Sequence, residues 1–130
     1  MPEEKPPRTP QTGITKHDNF ESWYANNVQF YPSEWDLRMV FGELDMSEGG
    51  AIVQQHTAMT VAWVQAKLMQ YFLTLQLGVY EMTHGKIPVP DGILPPEPTP
   101  PTGELEHDPV AIQVYEYIKK ARDQFMASLS

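Results

Sequence analysis

Hydrophobic and polar positions alternate from residue 24, with Tyr24, Asn26, Val28 and Phe30 on one side and Ala25, Asn27, Gln29 and Tyr31 on the other. A period of two is that of a strand. The following Tyr-Pro-Ser-Glu-Trp predicts a turn, because Pro32 fixes φ and Ser33 can hydrogen-bond the local backbone. A second strand then places Trp35, Leu37, Met39 and Phe41 on one face and Asp36, Arg38, Val40 and Gly42 on the other. Residues 42–50, GELDMSEGG, carry the turn chemistry to end it, with Gly49-Gly50 supplying positive φ at the return. A third extended run, Ala51 to Met59, is rich in Val, Ile and Thr but alternates less clearly.

The period then changes from two to nearly four. Val61, Val64, Leu68, Tyr71, Phe72, Leu75, Val79 and Met82 follow helical spacing, and Ala62, Ala66, Met69, Leu73, Leu77 and Tyr80 form a second apolar row. Only Lys67, Gln70, Thr74 and Glu81 make a polar stripe. Gly85 stands where a left-handed cap belongs and Pro88 prevents continuation, so a helix is predicted over about Thr60 to His84, roughly 37 Å long. Further on, Asp108 suits an N-cap and Pro109 a first helical position. Val114, Ile118, Ala121 and Phe125 make an apolar stripe opposite Lys119, Lys120 and Asp123.

The fold class predicted is α+β: an antiparallel β-meander of three or four strands packed on one long α-helix, with a C-terminal amphipathic helix after a proline-rich linker. Twelve of the 13 prolines lie in the flanks, four within residues 1–10 and eight within 88–109, and Pro32 alone interrupts the stretch between. The expected organisation is a disordered arm at 1–18, a β-β-β-α core at 19–88, a stiff extended linker at 89–107 and a terminal helix at 108–130. A core of about 70 residues is near the size at which a single chain becomes marginal.

A short meander can cover one row of such a helix, not two. The surplus apolar surface predicts a homo-oligomer, a dimer or higher, since a second copy is the cheapest cover. The residues expected between chains are Trp23, Tyr31 and Trp35 on the ribbon, Trp63, Tyr71, Phe72 and Tyr80 on the long helix, and Val114, Ile118 and Phe125 on the terminal one. That last helix is also the expected seat of a protein partner, in the same chain, a neighbouring copy or a foreign protein.

The net charge is −8, and between Phe20 and Ile87 only Arg38, Lys67 and Lys86 are basic, too few for a phosphate-tracking surface; no nucleic acid is expected. Lys67 within the most apolar segment argues against a membrane span. There is no cysteine, and MPEEKPPRTP contains no apolar stretch of signal-peptide type, so cytoplasmic residence is expected.

The four histidines, His17, His56, His84 and His107, share no metal-ligand spacing, and no phosphate loop, nucleophile elbow or dinucleotide fingerprint occurs. No metal, cofactor or catalytic residue is therefore expected. His56 reads as a strand residue with one nitrogen satisfied; the alternative is a general base in an intersubunit site with Glu34, Asp36, Glu43 and Asp45. Asn26 and Asn27 read as strand residues whose amides bond across strands or between subunits.

Tyr24-Ala25-Asn26-Asn27-Val28, Trp35-Asp36-Leu37 with Phe41-Gly42, Gln65-Ala66-Lys67, and Tyr80-Glu81 with Gly85-Lys86-Ile87 occur in a fixed order. Together they resemble a family of short prokaryotic proteins known only as a domain of unknown function. Its pattern looks like YxNxV, then W/F-D-F/L leading to FG, then a helix with HAK, then YExxxGxI. The resemblance covers Ser22 to Ile87 and leaves both flanks outside. Ala62-Trp63 replaces the family's Ser-Pro, which implies an earlier helix start near Thr60, and Gln65 replaces its histidine. The order of elements also looks like that of the SecB-type export chaperones, at the level of fold alone. The function expected is a non-catalytic oligomeric interaction module, adaptor or structural; the alternatives are a SecB-like holdase for unfolded clients and a small enzyme with an intersubunit site.

Overall fold

A computed structural model describes residues 12–45 and 50–130. Residues 46–49, where the sequence predicts a turn, and residues 1–11, in the expected disordered arm, lie outside the described residues. By its internal contacts the chain falls into two units, Met1–Ala66 and Lys67–Ser130.

The first unit holds an antiparallel sheet of three strands in the order β1-β2-β3: β1 at Asn27–Pro32, β2 at Asp36–Asp45 and β3 at Ile52–Ala62. The β1–β2 turn forms as Pro-Ser-Glu-Trp predicts. The Ser33 amide donates to the Asp36 carbonyl at 2.9 Å, and the Ser33 hydroxyl oxygen accepts from the Trp35 and Asp36 amides at 3.2 and 3.0 Å. Paired residues share a face, so Phe30, Met39 and Met59 form one cross-strand row, flanked by Val28-Phe41-Thr57 and Pro32-Leu37-Val61. The opposite face carries Gln29-Val40-Ala58 and Tyr31-Arg38-Thr60. Among the described residues the buried hydrophobic ones are Met39 and Val40, 6% and 7% exposed, one on each face of the central strand.

β3 departs from the sequence reading at its C-terminal end. Its ladder with β2 continues through Ala62 opposite Asp36, with Thr60 opposite Arg38 and Val61 opposite Leu37. The long helix, α1, accordingly spans Trp63–His84 and does not begin near Thr60. The cause is non-local: Thr60 and Val61 fit a strand as well as a helix, and the partner strand decides. The Trp63 indole N–H donates to the Ser33 carbonyl at 3.0 Å, fixing the helix start against the turn.

At 22 residues α1 is about 33 Å long. It ends as predicted, with Gly85 at φ +86° and its amide donating to the Glu81 carbonyl at 2.9 Å. The Glu81 carboxylate accepts from the Ile87 amide at 2.9 Å, closing the exit. The sequence reading gives one row of this helix to the sheet, yet no residue of α1 is buried on either row.

Beyond α1 the chain makes single turns at Asp91–Ile93 and Gly103–Leu105 and then α2 at Pro109–Ser128. The Asp108 carboxylate caps α2, accepting from the Val110 amide at 2.9 Å and the Ala111 amide at 3.4 Å, with Pro109 in the first turn. The linker is tied back to this helix. Lys86 Nζ donates to the Ser128 carbonyl at 3.2 Å, Arg122 Nε donates to the Pro95 carbonyl at 3.0 Å, and Glu97 lies 3.9 Å from the Arg122 guanidinium. These contacts run antiparallel to α2, and Glu97 and Pro98 join Tyr115 and Arg122 around one depression.

Candidate interaction surface

His56 has an architectural task in the sheet. Pairing runs Phe41 with Thr57 and then Gly42 with Gln55, so His56 is an extra residue in β3, a bulge. Its Nε2 lies 2.8 Å from the Tyr24 carbonyl and its Nδ1 2.7 Å from the Thr57 hydroxyl. A carbonyl oxygen only accepts, so Nε2 carries the proton, and in the neutral ring Nδ1 accepts from Thr57. Both nitrogens are engaged, one more than the sequence reading assigned. The ring also stacks on Trp23, with centroids 4.8 Å apart and planes 17° from parallel.

Gly42 makes this arrangement possible. A Cβ there would stand 2.5 Å from the Gln54 carbonyl oxygen and 3.0 Å from the Gln55 Cα, so no side chain fits opposite the bulge. The buried Gly42 belongs to the central strand, between β3, which carries His56, and β1, which Tyr24 precedes by three residues. Asn26 completes the tie on the β1 side: its amide donates to the Gly42 carbonyl at 3.1 Å, and its Oδ1 accepts from the Leu44 amide at 2.6 Å. The cross-strand amide bond expected of Asn26 is thus present.

The carboxylates of the second strand do not converge on His56 in its hydrogen bonds. Asp36 accepts from the Ser33 hydroxyl at 2.9 Å, and Glu34 is exposed beside the turn. Among the described residues no group of three or more His, Asp or Glu is placed to hold a metal ion.

The positions carrying apolar surface are a different set. All ten residues singled out for contacts between chains are exposed, from 39% at Phe125 to 78% at Trp35. Trp23 precedes β1, Tyr31 lies within it and Trp35 in the turn after it, Trp63 to Tyr80 lie along α1, and Val114, Ile118 and Phe125 lie on α2. Phe30 and Met59, on the apolar face of the sheet, are more than half exposed, as are Val64, Leu73, Val79 and Met82 on α1. On α2 the exposed row extends to Val110 and Tyr117, which helical spacing puts on the same 100° stripe. A neighbouring row, Ile112, Tyr115, Arg122, Met126 and Leu129, is half-buried and carries the linker contacts. Sequence reasoning missed this second row, although its spacing of three and four residues is visible in the chain.

The class defined by these observations is a small α+β protein with an open meander, one long apolar helix and a linker-bound terminal helix. The chain belongs to the family described as protein of unknown function (DUF3467), whose model matches residues 1–89. The match takes in the N-terminal flank as well as the sheet and α1. No curated protein and no solved structure matches the chain. Among the described residues no helix is long and apolar enough to cross a membrane.

Proposed function

We propose that this chain is a cytoplasmic, non-catalytic interaction module that works as a homo-oligomer, with α1 buried between copies. The observation carrying this reading is α1 itself, whose eleven large apolar side chains between Trp63 and Met82 are each at least 42% exposed. A helix that is apolar almost all round belongs in an interior. Roughly half of each side chain remains to be covered, worth on the order of 1 kcal/mol apiece. Both copies contribute, against an association cost of about 4–15 kcal/mol, so the helix alone carries enough apolar surface to drive assembly. The apolar face of the sheet adds Phe30 and Met59. The open row of α2 is left for a protein partner.

Light scattering on the full chain tests the reading: a mass of at least twice 14.8 kDa is expected, and a stable, monodisperse monomer overturns it. The second reading, a SecB-like holdase, is favoured by the same exposed aromatic side chains offered to unfolded clients. It requires suppression of a model client's aggregation at stoichiometric ratios, and an assembly that gives none removes it.

A further inference from the structure

The two edges of the sheet are unequal. β1 offers six residues, and Pro32 within it lacks an amide donor. β3 offers eleven residues, Ile52–Ala62, with no proline and no charged side chain. Sheet edges are ordinarily guarded by charge, proline, a bulge or brevity. The one such device in β3 is the bulge at His56, which leaves Thr57–Ala62 as a regular, unguarded stretch.

We infer that Thr57–Ala62 pairs with the same segment of a second copy, antiparallel about a two-fold axis, joining two three-stranded sheets into one of six strands. This rests on the self-association proposed above and specifies its geometry. The occupant follows from chemistry and closure. An identical uncharged strand run antiparallel brings no like charges together, and an axis at Thr60, for one, sets Thr60 on Thr60, Ala58 on Ala62 and Met59 on Val61. A two-fold contact between the two β3 edges leaves only the proline-bearing β1 edges outside, so assembly stops. Pairing β3 of one copy with β1 of the next would need a ring to close or would repeat without end, and would meet Pro32 at each junction. Five paired residues, centred on Met59 or on Thr60, set direction and register, while covering α1 supplies most of the driving force.

The chain has no cysteine, so single cysteines can carry spin labels without background. Labels go at Gln54, Ala58, Thr60 and Ala62, all exposed, in the full-length protein, with the intact mass measured on each sample. In an antiparallel two-fold pair the separation between equivalent residues grows by about 6.8 Å per residue from the axis, twice the strand rise. The expected profile has its minimum within Thr57–Ala62 and reaches about 20 Å or more at Gln54. An oligomer with a flat profile, or with its shortest distance at Gln54, overturns this inference and leaves self-association standing. A monomeric mass removes both. Protection of β3 amides only after an extended foreign peptide is added assigns the edge to another chain and also overturns it.

Discussion

α1 and α2 are nearly equal in length, 22 and 20 residues, and differ in where their stability originates. α2 is locally supplied: a side-chain cap at Asp108, proline in its first turn, a polar face, and a proline-rich segment bonded along one apolar row. α1 has no acidic residue in its first turn and two apolar rows, and its local devices lie at its end, the Gly85 cap and the Glu81 carboxylate on the Ile87 amide. A helix with caps and in-chain cover can be edited at its surface with small effect. One that is apolar on two rows depends on whatever covers it, and an edit there acts on the assembly.

The sharpest way to break that contrast is to put a charge on each helix. Leu75→Glu on α1 should weaken self-association by at least about 100-fold, because an unpaired carboxylate would be buried at the contact. Ile118→Glu on α2 should leave the mass by light scattering unchanged; equal effects would end the distinction. Gly85→Ala comes next. It forces a Cβ into a left-handed backbone at φ +86° and should cost about 1–2 kcal/mol in chemical unfolding, a penalty that belongs to the end of α1. Asp108→Ala removes the α2 cap and should cost about 1 kcal/mol, read as lost helicity of the tail with no change of mass. The smallest effect is expected of Arg122→Ala. Its bond to the Pro95 carbonyl is worth about 0.5–1.5 kcal/mol and its contact with the exposed Glu97 ~0–1 kcal/mol. Hydrogen exchange should show faster exchange at the Leu94 amide and unaltered rates in β2.

Most elements were legible because their signals are local: alternation through β1 and β2, Pro32-Ser33 at the turn, Asp108-Pro109 and Gly85 at helix ends. What was not legible depends on partners distant in sequence. Thr60-Val61-Ala62 joined the sheet because Asp36–Arg38 stood opposite. The linker's composition predicts an extended chain but not the Arg122 bond that holds it to α2. The weak alternation of β3 was itself a signal, since the extra residue at His56 reverses the phase. Ile52 and Gln54 share the face of Thr57 and Met59, so even positions give way to odd ones across the bulge. Gly42 read as a strand position on the face of Asp36, Arg38 and Val40, and only the register shows the Gln54 carbonyl occupying the place of its missing side chain. At the interaction surface, apolar spacing found the exposed rows and missed the one beside the linker.

The bulge also has a mechanical consequence. An extra residue bends its strand and increases the local right-handed twist, and here it lies midway along the longest strand, clamped by Tyr24 and Trp23 from across the sheet. A ribbon curved in this way is a poor platform for a flat sheet and a good saddle for a cylinder some 10 Å across, the diameter of an α-helix.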